Sequence, residues 1–258
     1  MLVPFRLTKQ QITILNDNHR FKIINAGRRF GKSFLSGAAI LKQVPKSNST
    51  IWYVAPTWDM AKKIMWDDWL PKHIPQDWLS EPPNKMDKTY KFINGSVLYV
   101  LSADNPEHLR GSSLDLLIMD ECAFIKEGVW EIVRPALADK KGDAILVSTP
   151  KGYNWFYDQY QAAREDKDWA TFQYTTIQGG NVDKDEIESA RKTMSPKMFA
   201  QEFLAAFENL ASRVYDCYDR VENSCEVDEN WGKSDVHIGI DFNVNPMTAA
   251  IAVKEKDN

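Results

Sequence analysis

The segment FKIINAGRRFGKSFLSGAAILKQ (21–43) joins two sequence patterns through a short turn that contains two glycines. Its first part, FKIINA, is a compact apolar run with β-branched residues, which favours a buried strand. Its last part, KSFLSGAAILKQ, favours a helix. The segment therefore predicts a strand, a tight turn and a helix in direct succession, and only folds with such a unit remain.

Apolar runs of strand length continue to alternate with helical patterns as far as residue 150. The further strand candidates are IWYVAP (51–56), LDLLIMDE (114–121) and DAILVSTP (143–150), and the helix candidates lie around DMAKKIMWDDWL and VWEIVRPAL. Continuous apolar strands that alternate with helices are typical of a mostly parallel sheet covered on both faces. We therefore predict an α/β domain.

Two local patterns add to this domain. Thr8 and Gln11 match a capping box at the start of a short first helix. The dipeptide Asn94-Gly95 is flanked by alternating apolar residues, which predicts a β-hairpin. Neither pattern disturbs the α/β prediction.

Residues 183–258 follow other patterns. Residues 183–208 favour helices, with Ser195 as N-cap and Pro196 as the first residue of the second helix. Residues 209–234 are polar and lack periodicity, as expected of a linker. The final stretch VHIGIDFNVNPMTAAIAVK predicts two strands around an Asn-Pro turn.

Composition excludes several classes of function. The 258 residues suffice for one large core, or for one domain plus part of a second. Lys and Arg number 32 against 36 Asp and Glu, so the net charge of −4 gives no basic footprint that would indicate nucleic-acid binding. The three cysteines lack metal-ligand spacing and fit a reducing compartment. No apolar run forms a signal core or a membrane span, so we expect a cytoplasmic protein.

The turn in the first segment has the ingredients of a phosphate-binding loop. Successive backbone N–H groups and a helix N-terminus can hold the negative charge of a triphosphate. Gly31 allows close approach of the backbone, Lys32 would contact the β- and γ-phosphates, and the Ser33 hydroxyl would bind Mg²⁺. A Gly-Lys-Ser tripeptide also occurs by chance, so the prediction depends on a second motif.

The second motif is the end of LDLLIMDE, where a buried strand stops in two carboxylates. Asp120 would face Mg²⁺, directly or through water, and Glu121 would activate the attacking water as general base. Both motifs follow apolar strands, in the order that a nucleotide site requires. Together they predict a Mg-dependent domain that hydrolyses a nucleoside triphosphate.

A third strand ends in Ser148 and Thr149, followed by Pro150. Hydroxyls at this position could sense the γ-phosphate and relay its loss to the next helix. The same residues could equally be an N-cap before KGYNWFYDQY.

Five blocks of the sequence resemble the large terminase subunit of tailed bacteriophages, the ATPase that drives DNA into the empty capsid. The blocks are AGRRFGKS, LRGSSLDLLIMDECAF, VSTPKGYNWFYDQY, FAQEFLAAFEN and IGIDFNVNPMTAAI, in the order of the family and over nearly the whole chain. The phosphate loop of that family commonly lacks its first glycine, so Ala26 matches a family trait.

The resemblance implies a P-loop NTPase fold of the ASCE, RecA-like class, with a mostly parallel sheet flanked by helices. It implies an ATPase core over residues 1–180, a small helical lid subdomain over 181–210, a linker over 211–234 and the first strands of a truncated RNase H-like nuclease domain over 235–258. Asp241 matches the first metal carboxylate of that nuclease. Because two-metal hydrolysis needs several carboxylates, we expect this chain not to cut DNA.

The resemblance also assigns residues to the nucleotide site. The loop that binds ATP would run from Ala26 and Gly27 through Arg28 and Arg29. By position, Arg28 matches an arginine that approaches the γ-phosphate of its own subunit, where it would neutralise charge in the transition state. An adenine-binding glutamine is expected upstream of the loop, with Gln11 favoured over Gln10 by spacing, although Gln11 could simply close the capping box.

Further basic residues are candidates for phosphate sensing or for contacts between subunits. Arg110 precedes the Asp-Glu strand in an Arg-Gly pair typical of the family. A neighbouring subunit could donate a basic residue, for which Arg134, Lys140 and Lys141 lie in the expected stretch. The sequence does not choose among them.

The resemblance implies partners and a place of action. We expect double-stranded DNA, the portal protein and the small terminase subunit as partners, a homo-oligomeric ring on the procapsid, a monomer in isolation and no membrane. The place of action would be the cytoplasm of the infected bacterial host, without secretion. DNA contacts would be made through the phosphate backbone and would weaken steeply with salt.

Two alternatives remain open. A superfamily-2-type helicase or translocase also has a strand that ends in Asp-Glu, but it needs a second RecA-like domain, for which too few residues follow Pro150. A nucleotide-gated assembly module would bind ATP with little turnover, and Glu121 argues against this interpretation because a module that only binds needs no general base.

Overall fold

The structure is a computed structural model that describes residues 6–208, 235–241 and 248–254. The chain divides into two compact units, Met1–Ala211 and Ser212–Asn258. The linker predicted for 211–234, the Asn-Pro turn and the side chain of Asp241 lie outside the described part. The finer division of the first unit into core and lid stays a prediction.

The strands of the first unit lie where the apolar runs predict them, with one addition. They are β1 (Phe21–Ala26), β2 (Thr50–Ala55), β3 (Thr89–Lys91), β4 (Val97–Ser102), β5 (Leu116–Asp120), β6 (Asp143–Ser148) and β7 (Trp169–Tyr174). The addition is β7, whose residues are mostly only half-buried. It carries no continuous apolar run, so the sequence pattern does not identify it.

One helix precedes the first strand, and the others follow or connect the strands. They are α1 (Lys9–Asn16), α2 (Lys32–Gln43), α3 (Trp58–Ala61), α4 (Leu70–His73), α5 (Val129–Val133), α6 (Trp155–Arg164), α7 (Thr176–Gly179), α8 (Lys184–Thr193) and α9 (Pro196–Leu204). A π-helical segment, Lys62–Trp69, joins α3 to α4 within the stretch that the sequence predicts as one helix. No helix in the described ranges is long and apolar enough to span a membrane.

The seven strands form one sheet in the order β3-β4-β2-β5-β6-β1-β7. The pairs are parallel except β3 with β4, which is antiparallel. This confirms the α/β class and the mostly parallel sheet. The antiparallel pair confirms the predicted hairpin, and Gly95 in its turn has φ 83°.

The central strands β1, β5 and β6 are buried on both faces. Neighbouring residues of each strand point to opposite sides, and each side packs in its own hydrophobic core. In β1, Ile24 packs on the face that α2 covers, among the side chains of Leu35 and Trp69. Its neighbour Ile23 packs on the other face, among those of Leu137 and Phe156. The two cores hold β1, β6 and β5 side by side.

The helix termini follow their capping residues. Thr8 and Gln11 form the predicted capping box of α1. Ser195 caps α9, with Pro196 as its first residue, as predicted. The N-cap of α6 is Asn154, so the alternative that Ser148 or Thr149 caps this helix is wrong.

The described part of the second unit consists of two strands, β8 (Asp235–Asp241) and β9 (Thr248–Lys254). They pair antiparallel, with Asp235 opposite Lys254 and Asp241 opposite Thr248. Two strands were predicted here.

Candidate nucleotide site

The sheet topology brings the three motifs together. β6 pairs with β1 on one side and with β5 on the other, all in parallel. The carboxyl ends of parallel neighbours meet at one edge of the sheet, which is where open α/β sheets bind ligands. The phosphate loop after β1, the hydroxyls that end β6 and the acids that end β5 therefore share one edge.

Gly31 sets the backbone of the loop where it enters α2. It has φ 97°, in the left-handed region that favours glycine, and it is the N-cap of the helix. A Cβ at this position would lie 2.5 Å from Nε2 of Gln11. Because a glycine N-cap has no side chain, no side-chain acceptor caps the first turn of α2, so its N–H groups are available to an anion.

Lys32 is buried, with 7% of its surface exposed. Its Nζ donates to Oγ1 of Thr149 at 2.6 Å and to the carbonyl oxygens of Ala26 and Gly27 at 3.4 and 3.5 Å. It also lies 3.7 Å from Oε1 of Glu121. One ammonium group thus contacts all three strand ends.

Asp120 is 2% exposed and accepts two hydrogen bonds. The Tyr53 hydroxyl donates to Oδ2 at 2.7 Å, and the backbone N–H of Glu121 donates to Oδ1 at 2.9 Å. Burial, followed by the charge of Glu121, raises the pKa of Asp120 to about 6, although the Tyr53 hydrogen bond and Lys32 act in the opposite direction. A bound cation would offset burial and the repulsion by Glu121, the two effects that disfavour the charged carboxylate.

Tyr53 belongs to the same buried network, and sequence analysis missed it. Burial, followed by the negative charge of Asp120, raises its pKa well above the ordinary range. It therefore remains a hydrogen-bond donor at neutral pH. The run IWYVAP carries no signal for this role, because a tyrosine in a buried strand is usually a packing residue.

Glu121 adopts a left-handed backbone conformation with φ 50° and ψ 47°. Non-glycine residues adopt it rarely and at a cost of about 1–2 kcal/mol. Its Oε2 lies 3.4 Å from both the hydroxyl of Ser148 and the backbone N–H of Thr149. The turn thus directs the carboxylate toward the end of β6, close to Lys32.

Ser148 connects the strand end with the segment after Glu121. Its hydroxyl donates to the Thr149 carbonyl at 2.7 Å and accepts from the backbone N–H of Ala123 at 3.1 Å. Asn154 donates from its side chain to the Ala123 carbonyl at 2.8 Å and also caps α6. A continuous chain of contacts therefore runs from the acids to α6.

Gln11 lies between α1 and the loop. Its Oε1 accepts from the backbone N–H of Thr8 at 2.8 Å, and its Nε2 donates to the Gly31 carbonyl at 3.0 Å. The residue is 2% exposed, whereas its neighbour Gln10 is half-buried. Gln11 thus closes the capping box and supports the loop, and contact of either glutamine with adenine stays a prediction.

Arg28 and Arg29 both lie in the loop with exposed side chains. The Nε of Arg28 forms an ion pair with the carboxylate of Glu202 on α9. Arg29 has φ 61°, and its carbonyl accepts from the side chain of Asn181 at 3.1 Å. The structure therefore gives Arg28 a protein partner that its sequence neighbours do not suggest.

Segments about 150–175 residues downstream support the loop from outside. Gly27 donates its N–H to the Tyr174 carbonyl at 2.9 Å, and the Thr176 hydroxyl donates to the Arg28 carbonyl at 2.7 Å. A Cβ on Gly27 would lie 2.6 Å from Oγ1 of Thr176. Sequence spacing cannot reveal these contacts, because they depend on how β7 and α7 fold back onto β1.

Arg134 and Lys140 lie where the parallel strands begin, at the end of the sheet opposite to the nucleotide site. Arg134 stacks over the ring of Phe21, the first residue of β1, at 4.6 Å from the ring centroid. Lys140 forms a 2.7 Å ion pair with Asp115, which directly precedes β5. β1 is six residues long, about 20 Å, so neither side chain reaches the phosphate loop of its own chain. A contact with a neighbouring subunit stays a prediction.

Arg110 follows the short 3₁₀ turn Pro106–Leu109. Its Nε donates to Glu107 at 2.7 Å, and both side chains are exposed. An exposed ion pair is compatible with a contact to phosphate and with a contact to a neighbouring subunit, and it favours neither. Both roles of Arg110 stay predictions.

Ser33 and Asp120 fit the oxygen ligands that Mg²⁺ prefers. Ser33 is half-buried in the first turn of α2, and Asp120 ends β5. The raised pKa of Asp120 means that the buried carboxylate lacks full charge compensation, as expected at a cation site. Within the described ranges, no cluster of three or more His, Cys, Asp or Glu side chains forms a separate metal site.

Solved structures share this fold. The ATPase domain of the Thermus phage P74-26 large terminase is 24% identical with a TM-score of 0.65, and the match covers 79% of this chain and 94% of that domain. The large terminase of a thermophilic bacteriophage, solved in complex with ADP, is 16% identical with a TM-score of 0.69, covering 97% of this chain and 65% of that one. At these identities the likeness shows the fold alone, and it agrees with the predicted P-loop, RecA-like class.

Sequence comparison shows the family. The large terminase subunit of Escherichia phage T5 is 28% identical over 259 residues, which cover 95% of this chain and 59% of the T5 protein. This chain thus spans somewhat more than half the length of that relative. The family model described as "Terminase large subunit, T4likevirus-type, N-terminal" matches residues 23–220, most of the chain. The chain therefore belongs to the family of T4likevirus-type large terminase subunits, in their N-terminal part.

Proposed function

We propose that this chain is an ATPase that powers the translocation of double-stranded DNA into a viral procapsid. The family membership supports the packaging role. The observation that carries the catalytic role is the convergence of Lys32, Glu121 and Thr149 at one buried point. No feature of the described residues favours the helicase alternative.

The loop and the acids take separate roles in ATP hydrolysis. The N–H groups at the start of α2 and the Lys32 ammonium bind the β- and γ-phosphates, which replace the protein oxygens that Lys32 now contacts. Ser33 and Asp120 would hold Mg²⁺, which neutralises phosphate charge when bound. Glu121 accepts a proton from the attacking water while the water oxygen bonds to the γ-phosphorus. The bond between the γ-phosphorus and the bridging oxygen breaks, and ADP leaves with its electron pair.

Arg28 and the end of β6 take the remaining roles. Arg28 neutralises charge that develops on the γ-phosphate in the transition state. Ser148 and Thr149 lie against both Lys32 and Glu121, so loss of the γ-phosphate changes their contacts. The link from Ser148 through Ala123 to Asn154 then carries this change to α6.

The proposed partners are double-stranded DNA, the portal protein, the small terminase subunit and further copies of this chain in a ring. The net charge of −4 means that DNA contacts must come from local basic surface. We expect the protein to act in the cytoplasm of an infected bacterium.

The test is to measure binding and turnover of ATP separately in two variants. Glu121→Gln should bind ATP like the wild type and hydrolyse it at least about 100-fold more slowly, because an amide cannot accept the proton. Lys32→Ala should weaken both binding and turnover. Glu127→Gln, a change at an exposed glutamate nearby, is the matched control and should alter neither.

Turnover should be measured over a range of protein concentrations. A specific activity that rises with concentration supports a site that is completed by a neighbouring copy. Normal turnover in Glu121→Gln would refute the assignment of the base. Tight ATP binding without turnover by the wild type at every concentration would support the nucleotide-gated assembly module instead.

A further inference from the structure

Arg28 is attached to α9 at two points. Its backbone N–H donates to the Glu202 carbonyl at 2.7 Å, and its Nε pairs with the Glu202 carboxylate. The carboxylate side chain is 14% exposed, whereas the arginine side chain is 67% exposed. The ion pair joins Nε of Arg28 to Oε2 of Glu202. The two terminal nitrogens of a guanidinium group carry four of its five N–H donors, so these donors remain for another partner.

Glu202 is itself held in place. Gln201, which is 4% exposed, donates from Nε2 to Oε1 of Glu202 at 3.3 Å. The Oε1 of Gln201 accepts from the backbone N–H of Gly152 at 3.1 Å. Gly152 lies in the loop after Ser148 and Thr149, so this pair on α9 joins the phosphate loop to the end of β6.

The last turn of α9 packs firmly on the start of the loop. The Ala205 carbonyl accepts from the side chains of Asn25 and Gln173, both at 2.8 Å. A Cβ on Gly27 would lie 2.8 Å from the Phe203 carbonyl, so only glycine permits this approach. Asn25 to Arg28 and the end of α9 therefore form one structural block, on which Glu202 has a fixed position.

We propose that Glu202 is a positioning residue that holds the Arg28 guanidinium in the orientation needed during ATP hydrolysis. This inference rests on the proposed ATPase function. An arginine that is already held at one edge loses less freedom when its other edge meets a phosphate, and it needs no reorganisation as charge develops. Glu202 thus acts through Arg28 and does not touch the nucleotide.

The ion pair differs from an ordinary surface pair. Arg191 and Glu188 on α8 form an ion pair at 3.5 Å, with about half of each side chain exposed. Such pairs contribute little to stability and have no geometric requirement. The pair of Arg28 with Glu202 has a largely buried carboxylate and a backbone anchor, which fix its geometry. The exposed pair therefore supplies a matched control.

The experiment compares Glu202→Gln with Glu188→Gln by steady-state ATPase kinetics and ADP binding. Glu202→Gln should lower kcat about tenfold or more, because misplacement of a catalytic group has effects of this size. Its KM for ATP and its ADP affinity should change by less than about threefold, since binding through the loop remains. Glu188→Gln should match the wild type in every parameter.

Two further variants separate positioning from a general structural effect. In an Arg28→Ala background, Glu202→Gln should cause no additional loss of kcat, because nothing remains to be positioned. Glu202→Asp keeps the charge on a shorter side chain and should give a kcat between those of Glu202→Gln and the wild type. Melting temperatures of all variants check folding.

The outcomes separate this inference from the proposed function. Two outcomes in a wild type that hydrolyses ATP would refute the positioning role and leave the ATPase function intact. One is a kcat of Glu202→Gln equal to that of the wild type. The other is a double variant whose loss of kcat equals the product of the losses in Glu202→Gln and Arg28→Ala. If Glu202→Gln is poorly folded, the kcat of Glu202→Asp decides, and a value equal to that of the wild type contradicts the proposal. If the wild type shows no turnover at any concentration, the proposed function fails and this inference with it.

Discussion

The Lys32 ammonium donates a 2.6 Å hydrogen bond to the hydroxyl of Thr149, a residue 117 positions away in the sequence. The same ammonium lies 3.7 Å from the carboxylate of Glu121. All of these acceptors are oxygen atoms of the protein, and they surround a buried ammonium group. We expect the phosphate oxygens of a bound nucleotide to compete with them for the same ammonium.

The first prediction concerns Thr149. Thr149→Val removes the shortest of these hydrogen bonds at nearly constant volume, so it should lower the free energy of unfolding of the nucleotide-free protein by about 1–2 kcal/mol. Thr13→Val removes an exposed hydroxyl that bonds the Lys9 carbonyl, and it should change stability by less than about 0.5 kcal/mol. Urea unfolding measures both. If both substitutions change the free energy of unfolding equally, the buried hydrogen bond contributes no more to stability than the exposed one.

The second prediction concerns Gly31. Gly31→Ala should lower stability by more than about 1–2 kcal/mol, because the left-handed backbone already costs this much for a residue with a Cβ and the new atom meets the Gln11 amide. Nucleotide binding should weaken as well, because the turn shifts. Thermal unfolding and ADP titration measure the two effects.

Gly128→Ala is the control for this prediction. Gly128 has φ 85°, but an added Cβ meets nothing within 4 Å. Its substitution should therefore cost only the backbone strain and should leave ADP binding unchanged. If Gly31→Ala binds ADP normally, the conformation of the loop does not depend on this glycine.

The third prediction concerns the pH dependence of stability. The pKa of Asp120 is raised from 3.8 to about 6, so the folded state favours the protonated form. The free energy of unfolding contributed by this group is therefore highest below about pH 4, and it is lost as the pH rises through about 6. Asp120→Asn should remove this dependence and stabilise the nucleotide-free protein at about pH 7.5 by roughly 1–3 kcal/mol.

The measurement is urea unfolding of both proteins at about pH 4 and 7.5 without nucleotide or divalent cations, with roughly equal stabilities expected at the lower pH. A wild type that is more stable than Asp120→Asn at the higher pH would contradict the prediction. Glu127→Gln, at an exposed position, should show no such effect. A gain of stability at the cost of Mg-nucleotide binding would mark Asp120 as a residue kept for function.

The fourth prediction concerns Gln11. Gln11→Ala removes hydrogen bonds to both Thr8 and Gly31, so it should destabilise the protein by about 1–2 kcal/mol and weaken nucleotide binding. Gln10→Ala should have little effect on either. Comparison of ATP with GTP separates the two roles, because an adenine contact adds a loss that is specific to ATP. Unchanged binding of both nucleotides by Gln11→Ala would contradict the role in loop support.

Local sequence patterns identified most of the strands and the reactive residues at their ends. The apolar runs located β1, β5 and β6 because a strand buried on both faces needs continuous hydrophobic residues, and this pattern is local. Gly31-Lys32-Ser33 and Asp120-Glu121 were identifiable because charged and flexible residues at the ends of buried strands contrast with their surroundings. The capping residues Thr8 and Ser195 were identifiable for a similar reason, since a cap acts within four residues.

The side-chain contacts of the site depend on the folded chain as a whole. Tyr53 contacts Asp120 across 67 residues, and Glu202 contacts Arg28 from α9, and no spacing rule connects such residues. The sequence pattern did not identify β7, because this strand is partly exposed and contains no continuous apolar run. Because β6 lies between β1 and β5, the phosphate loop and the acids meet at the carboxyl ends of these strands. Arg134 and Lys140 lie at the opposite end, where the strands begin. Which residues become neighbours depends on packing of the whole sheet, whereas the sequence pattern records only the surroundings of each segment.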